Sequence, residues 1–167
     1  MILAIDPGLR ACGVAWFEKG ILIKADLVSV KTMESDAKAF LEMANAVGAA
    51  SPPVTHLAIE YPQQYSRAIT PRESVQKLVG VIGALAVTFS DSKTEYYLPR
   101  QWKGQVPKAV MHRRVLGRLT EAEQGLIPEL PVSKLHNVLD AVGIGLHHVG
   151  RLKRKRNRAG TRRKPGR

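Results

Sequence analysis

The sequence predicts one α/β domain in which a mixed five-stranded sheet is flanked by helices. Two observations support this fold class. The chain opens with three strand-like segments joined by short turns, and its later strand-like segments alternate with helix-like ones. Short turns predict antiparallel pairing among the first three strands, whereas the intervening helices allow parallel pairing of the later ones. A length of 167 residues suits a single hydrophobic core.

Five strands are predicted from short apolar runs bounded by turn residues. The first run ends at Asp6, and its poor alternation of apolar and polar residues indicates a buried strand. Pro7-Gly8 and Lys19-Gly20 form the first two turns. The predicted strands cover residues 2–6, 11–17, 21–30, 56–60 and 95–98.

Four helices are predicted from apolar periodicity and from residues that favour helix ends. Pro107 is expected at the first position of the third helix, and Ser133 is the predicted N-cap of the last one. The helices are expected over residues 33–50, 73–89, 107–119 and 133–149. The predicted buried face of the first helix consists of Ala37, Phe40, Leu41, Ala44 and Val47.

The net charge of +12 is distributed unevenly along the chain. Residues 151–167 hold ten Lys or Arg and no acid, which leaves 16 basic against 14 acidic residues in the rest. A basic segment of this kind binds polyanions because it neutralises phosphates and releases their counterions. It lacks the apolar face of a membrane-binding helix, so nucleic acid is the favoured partner. We expect a domain at residues 1–150 followed by a flexible basic tail at 151–167.

Several protein classes are excluded by composition. Cys12 is the only cysteine, so the chain has neither an intrachain disulfide nor a cysteine-based zinc cluster. The longest apolar stretch, at residues 78–89, is too short to cross a membrane. The first residues have the pattern of a strand and not of a signal peptide. We therefore expect a cytoplasmic protein with no membrane partner.

Three acidic residues stand in similar apolar settings. Asp6 and Glu60 each end a predicted strand, and Asp140 lies among apolar residues of the last helix. An acid in such surroundings is costly unless it is paired or binds a cation. A single one is commonly a salt bridge or a helix cap, whereas three suggest a shared divalent cation. Carboxylate oxygens suit Mg²⁺ or Mn²⁺.

Three short motifs, taken in order, resemble the RuvC group of Holliday-junction resolvases. Residues 5–8 (Ile-Asp-Pro-Gly), followed by Gly13-Val14-Ala15, are similar to the opening hairpin of that family. Residues 58–60 resemble its second acidic strand, and residues 137–141 its final helix. The resemblance covers residues 1 to about 149, and residues 102–108 look more like phage-encoded members. It implies an RNase H-like fold and metal-dependent cleavage of branched DNA.

The resemblance also implies hydrolysis of a phosphodiester by two Mg²⁺ or Mn²⁺ ions held by Asp6, Glu60 and Asp140, with Asp6 bridging the ions. The family commonly has Asp or His three residues before the last Asp, where this chain has Asn137. An amide oxygen can bind a hard cation but lacks negative charge. His136, four residues before Asp140, can reach the same helix face. Either residue is a candidate fourth catalytic group. The alternative for Asn137 is a role in the first turn of the helix, and the alternative for His136 is that it is an ordinary, partly exposed histidine.

A basic cluster around the third helix is the predicted DNA-binding surface, since a basic rim beside an acidic site can hold a phosphate backbone. A solvated helix face is the alternative. His112 belongs to this cluster, and Trp102 is predicted to lie in the core. Tyr65 is expected either to stack on unpaired bases or to pack its own loop. The predicted DNA contacts are Lys103, Lys108, Arg113, Arg114, Arg118, Tyr65 and Arg67.

A homodimer is expected because, in the resembled family, the helix corresponding to residues 73–89 forms the subunit interface. Three other functions remain open. An RNase H-like enzyme that processes RNA is one, and a non-catalytic branched-DNA-binding protein, suggested by Asn137, is another. An actin-like sugar kinase or ATPase is the third, although the chain is short for the two lobes of that fold.

Overall fold

The computed structural model describes residues 1–31, 34–63 and 72–152, and within them it confirms the mixed five-stranded sheet. The strands are β1 (Ile2–Asp6), β2 (Ala11–Glu18), β3 (Ile21–Ser29), β4 (His56–Glu60) and β5 (Lys93–Tyr97). Their order across the sheet is β3-β2-β1-β4-β5. The first three strands pair antiparallel, while β1 with β4 and β4 with β5 pair parallel. This is the pairing that the lengths of the connections predicted.

Parallel pairing of β1 and β4 brings two acidic residues to the same edge of the sheet. Ile5 lies opposite Ile59 in this pair, and the next residues are Asp6 and Glu60. Asp6 in turn lies opposite Gly13 on β2. The central position of β1 therefore places Asp6 between its two neighbouring strands at the edge where β1 and β4 both end.

Helices cover both faces of the sheet. The long ones are α1 (Asp36–Ala50), α2 (Arg72–Thr88), α4 (Lys108–Leu116) and α6 (Val132–His148), and the single-turn helices are α3 (Pro99–Trp102) and α5 (Glu121–Gln124). None of the helices in the described ranges is long and apolar enough to cross a membrane. One core, under α6 and α4, includes Ala4, Ala15, Phe17, Ala58 and Val142. The other, under α1 and α2, includes Leu3, Ile5, Trp16, Met43 and Val81.

Burial on both faces explains the continuous apolar runs of the central strands. In β1, Leu3 and Ile5 pack toward α1 and α2, whereas Ala4 packs toward α6. Successive side chains of a strand point to opposite faces, so a strand covered on both sides needs no alternation. The poor alternation of residues 2–6 was therefore a correct indication of a buried strand.

Glycine allows α6 to lie unusually close to β2. A side-chain carbon added at Gly13 would collide with the backbone carbonyl of Asn137, and one added at Gly145 would collide with the ring of Phe17. The contact at Gly13 is next to Asp6 in the sheet register. The close approach of α6 to β2 thus fixes the position of this helix at the edge that carries the acidic residues.

The buried face predicted for α1 was partly wrong. Ala44 and Val47 are buried as expected, but Leu41 is 59% exposed and Ala37 is also exposed. Ala39 and Met43 are buried in their place. The helix packs on both the sheet and α2, so its buried arc faces the corner between them. A helix rich in Ala and Leu has several apolar arcs, and periodicity alone could not select this one.

Helix starts also differ from the expected ones. Pro131 takes the N-cap position of α6 without a side-chain cap, so Ser133 lies inside the helix. Pro107 likewise precedes the first residue of α4 instead of occupying it. The short helices α3 and α5 were not predicted, because single turns lack a periodic signal.

The packed domain extends two residues beyond the expected boundary at residue 150. Leu152 is buried, and the Arg151 guanidinium bonds to Glu123. The remaining tail, residues 153–167, lies outside the described residues, as do Tyr65 and Arg67. The division into a domain and a tail stays a proposal, with its boundary better placed after Leu152.

Candidate active site

Three carboxylates meet at the edge of the sheet where β1 and β4 end. Asp6 and Glu60 are the last residues of those strands, and Asp140 projects from the α6 helix that packs across β1 and β2. Burial is the main cause of a raised pKa at Asp6, and the charges of Glu60 and Asp140 raise it further. The acids are therefore within electrostatic range of one another. The prediction that these three residues share a divalent cation stays a prediction.

Asp6 lacks a side-chain partner among the residues that the structure describes. No hydrogen bond or ion pair joins its side chain to another described residue, and its pKa is raised well above the ordinary value. Lys103 and Lys108 lower this pKa, but less than burial and the two neighbouring acids raise it. A desolvated carboxylate without a counter-charge is costly to keep ionised. Its surroundings fit a bound cation, which would remove that cost.

Glu60 is held by the single-turn helix α3. Trp102 Nε1 donates a hydrogen bond of 2.6 Å to Glu60 Oε2, and Lys103 Nζ lies 3.2 Å from the same oxygen. The pKa of Glu60 is raised, mainly by burial and further by the charge of Asp140, although Lys103 and Trp102 lower it. Trp102 is 4% exposed, as predicted for a core residue. Its indole N–H has a second role that the sequence did not indicate, because it fixes one carboxylate oxygen.

Asp140 is held by a histidine from α4. It is 5% exposed, and His112 Nε2 lies 3.0 Å from Asp140 Oδ1. In this contact Nε2 donates its proton to the carboxylate oxygen, which can only accept when the acid is ionised. Sequence reasoning placed His112 only in the basic cluster. The two residues are 28 positions apart, and only the packing of α4 against α6 brings them together.

Lys103 bridges two of the acids. Its ammonium lies 3.2 Å from Glu60 Oε2 and 3.9 Å from Asp140 Oδ2, and Lys108 Nζ is also 3.9 Å from that Asp140 oxygen. In this conformation no three acidic, His or Cys side chains of the described ranges converge closely enough to ligate one ion. The ammonium of Lys103 takes a cation's place between the carboxylates. An all-oxygen donor set with an unpaired Asp6 suits Mg²⁺ or Mn²⁺ once this ammonium moves aside.

Asn137 and His136 are placed differently from each other. Asn137 is half-buried beside Gly13, and its side chain makes no hydrogen bond to another described residue. His136 lines a groove with Leu135 and Leu139, and its buried Nδ1 has no partner in the described ranges. No hydrogen bond or ion pair joins His136 to Asp140, whose imidazole contact comes from His112 instead.

The basic residues of the cluster fall into two groups. Lys103 and Lys108 lie beside the Asp140 carboxylate, whereas Arg113 and Arg118 are exposed and contact none of the three acids through a hydrogen bond or ion pair among the described residues. The buried face of α4 is formed by Met111 and Val115. Arg114 is half-buried. The rim of the acidic site is therefore cationic, which suits a phosphate backbone.

Solved structures share this fold. The structure of Thermus thermophilus RuvC in complex with a Holliday junction substrate aligns with a TM-score of 0.63 and 24% identity, over 88% of this chain and 90% of that one. A further T. thermophilus RuvC structure aligns at 0.60 and 22%, over 88% and 92%. The yeast mitochondrial Holliday junction resolvase Ydc2 aligns at 0.61 and 13%, over 93% and 81%. The chain thus has the fold of these resolvases.

Sequence comparison adds no closer relative. No family model matches this chain, and no curated protein matches it.

Proposed function

We propose that this chain is a metal-dependent endonuclease that cuts branched DNA such as Holliday junctions. The observation that carries the proposal is the cluster of Asp6, Glu60 and Asp140 at one sheet edge with a cationic rim. The fold supports it, since the structural neighbours are RuvC, one of them in complex with a Holliday junction substrate, and the resolvase Ydc2. The expected closeness to phage-encoded members stays a prediction.

Mg²⁺ or Mn²⁺ is the proposed cofactor, two ions at each site. Asp6, Glu60 and Asp140 would hold them, with Asp6 shared and with Asn137 as the candidate fourth ligand. When bound, such ions supply activation of water and stabilisation of the leaving 3′ oxygen. Asn137 contributes an amide oxygen without charge, so it binds a hard cation more weakly than an Asp at that position would.

The side chains around the carboxylates orient them for this task. Trp102 fixes Oε2 of Glu60, and His112 fixes Oδ1 of Asp140. Ligands held by hydrogen bonds lose less freedom when they bind an ion, and such partners tune metal affinity. Lys108, whose side chain is 54% exposed, is free to contact a phosphate as well as Asp140.

DNA binding is proposed to extend from this rim onto the tail. Lys103 and Lys108, which lie 3.9 Å from an Asp140 oxygen, would be nearest to the scissile phosphate. The other expected DNA contacts remain predictions: Arg113, Arg114, Arg118, Tyr65 and Arg67. Arg151 pairs with Glu123 and is therefore not counted among the cations proposed to bind phosphates. The other nine of the ten basic residues of the tail lie in residues 153–167. Each phosphate that is neutralised makes binding more sensitive to salt.

We propose that a homodimer forms through α2. The proposed interface uses only part of this helix, whereas the sequence prediction took the whole helix at residues 73–89. Gly80 is already used within the chain, because a side chain there would collide with Phe40 of α1. Gly83 has open space beside it, and Val79 and Val87 on the same face are 38% and 75% exposed. These three residues form a smooth apolar stripe that a second copy can cover, and two copies supply the two sites that paired nicks require.

The test is cleavage of a panel of DNAs and RNAs with Mg²⁺, Mn²⁺ or EDTA. The panel contains four-way and three-way junctions, a flap, a linear duplex and a structured RNA. We expect cutting of the branched DNAs, dependent on metal and absent in EDTA. Preferential RNA cleavage would favour the RNA-processing alternative. Tight junction binding with no cutting at any metal concentration would favour the non-catalytic DNA-binding alternative.

A further inference from the structure

A groove of about 290 Å³ lies between α4 and the first turns of α6. Its lining is mostly apolar, and its polar lining residues are Lys108, His112 and His136. Val132, at the mouth of the groove, is 85% exposed, whereas Leu139 at its base is 4% exposed. The lining residues are Lys108, Ala109, His112, Val132, Leu135, His136 and Leu139.

The groove is continuous with the acidic site. Lys108 and His112 line it, and both also contact the Asp140 carboxylate, at 3.9 Å and 3.0 Å. A phosphate that reaches Asp140 and Lys108 therefore has the mouth of the groove beside it. The nucleoside attached to that phosphate is the group that can enter.

The chemistry of the groove matches a nucleobase. A base has apolar faces and a polar edge, and binding pockets for such groups combine apolar walls with a few polar side chains. Leu135 and Leu139, one turn apart on α6, supply a wall for a base face. His136 supplies a ring nitrogen, Nδ1, that is buried without a partner among the described residues. Rotation of the imidazole can bring it to a base edge, which carries matching donors and acceptors.

We propose that this groove is a subsite for one unstacked nucleobase of the strand that is cut, adjacent to the scissile phosphate. The proposal rests on the proposed function and deepens it. A base must leave its stack to enter, and leaving costs least where stacking is already interrupted. The groove therefore favours cutting next to a branch point over cutting within an intact duplex, and it gives the enzyme a structural selectivity that the carboxylates alone do not provide.

The test is a binding experiment in EDTA, where no cutting occurs. A four-way junction carries 2-aminopurine at one position at a time across the branch point, and its fluorescence reports unstacking of that base. Ala109→Leu fills the groove from an exposed position. Val110→Leu is the matched control, since Val110 is 37% exposed on the same helix and does not line the groove.

We expect a fluorescence change at one position with the wild type and with Val110→Leu, reduced at least about fivefold by Ala109→Leu. An abasic site at that position should weaken binding by the wild type, and Ala109→Leu should lose little further affinity for the abasic junction. The subsite alone is overturned if the protein binds the junction in EDTA and cuts it with metal, but no 2-aminopurine position changes in fluorescence. The same conclusion follows if the two variants give equal fluorescence changes. Failure to bind any branched DNA overturns the subsite together with the proposed function.

Discussion

Two buried acidic regions of this molecule have opposite electrostatics. Glu123, 2% exposed, accepts hydrogen bonds from the Leu22 and Thr120 backbone amides, the Thr120 hydroxyl and both terminal nitrogens of Arg151. Mainly because of Arg151, the pKa of Glu123 falls to about 2. Asp6, by contrast, has a pKa well above the ordinary value, mainly because burial is not offset by a partner.

The difference shows how the same chemical group, a carboxylate, serves either structure or chemistry. Glu123 joins the turn between β2 and β3, the start of α5 and the end of the packed domain, so its charge is fully used within the chain. Asp6 keeps a charge that no hydrogen bond or ion pair from a described side chain matches. A buried acid whose own partners satisfy it holds a fold together, whereas one without them is suited to bind a cation from outside.

The largest expected effect is a loss of cutting activity, and it concerns the region of Asp6, Glu60 and Asp140. Asp6→Asn, Glu60→Gln and Asp140→Asn should each reduce junction cutting at least about 100-fold, because each removes a charged ligand oxygen from a metal site. Junction binding, measured in EDTA by fluorescence anisotropy, should remain. Glu34→Gln changes an exposed acid and is the matched control. Normal cutting by any of the three variants would remove that residue from the active site.

A smaller expected effect separates the regions by stability. Glu123→Gln should lower the free energy of unfolding by about 3 kcal/mol, since Arg151 loses its buried partner. In EDTA, Asp6→Asn should leave stability unchanged or raise it, because it removes an unpaired buried charge. Urea unfolding measures both, with exposed Glu129→Gln as the control. A strong loss of stability in Asp6→Asn would mean that the chain itself satisfies this carboxylate.

The two regions should also respond to pH in opposite directions. The folded pKa of Glu123 is about 2, below the ordinary 4.5, so its stabilising effect is present above pH 4.5 and is lost as the pH falls toward 2. The folded pKa of Asp6 is raised, so its contribution is present below the ordinary pKa and is lost as the pH rises through the folded value. In EDTA, the melting temperature of the wild type should therefore fall as the pH rises above the ordinary pKa of an Asp, and the melting temperature of Asp6→Asn should fall less. Added Mn²⁺ should raise the melting temperature of the wild type at neutral pH and should not raise that of this variant.

The fourth ligand should show a more moderate effect. Asn137→Asp should lower the metal concentration for half-maximal cutting, and wild-type cutting should be faster with Mn²⁺ than with Mg²⁺, because Mn²⁺ binds nitrogen and oxygen ligands more tightly.

His112→Ala should raise the metal concentration for half-maximal cutting by about 10-fold or more, because Asp140 loses the group that orients it. His136→Ala should have a smaller effect. If His136→Ala abolished metal binding in calorimetry and His112→Ala did not, the geometry of α6 argued above would be incorrect.

The smallest effect on the domain should come from removing the tail. Deletion of residues 153–167 should leave the melting temperature unchanged and should make DNA affinity less dependent on salt, since nine basic residues are lost. Deletion of residues 151–167 should also lower the melting temperature, as Glu123→Gln does, because it removes Arg151. Equal stability of the two truncated chains would show that the Arg151–Glu123 pair does not stabilise the fold.

Local patterns were enough to predict most of the framework. The five strands, four long helices and the sheet class follow from apolar runs, periodicity and turn residues, each of which lies within a short segment. The three carboxylates were also selected from local patterns, because an acid beside or within an apolar run stands out in a sequence, and their role as metal ligands stays a prediction. The helix ends and the buried face of α1 were less accurate, since Pro131 and the corner between sheet and α2 decided them.

The sequence by itself determined which elements form and which acids stand in apolar surroundings, because these properties depend on neighbours along the chain. Only the tertiary structure decided the partners of those acids. His112 reaches Asp140 across 28 positions, Trp102 reaches Glu60 across 42, and Arg151 reaches Glu123 across 28. A carboxylate's protonation and its usefulness to a cation depend on desolvation and on charges a few ångströms away. Those distances are set by how helices pack on the sheet, and spacing along the sequence carries no record of them.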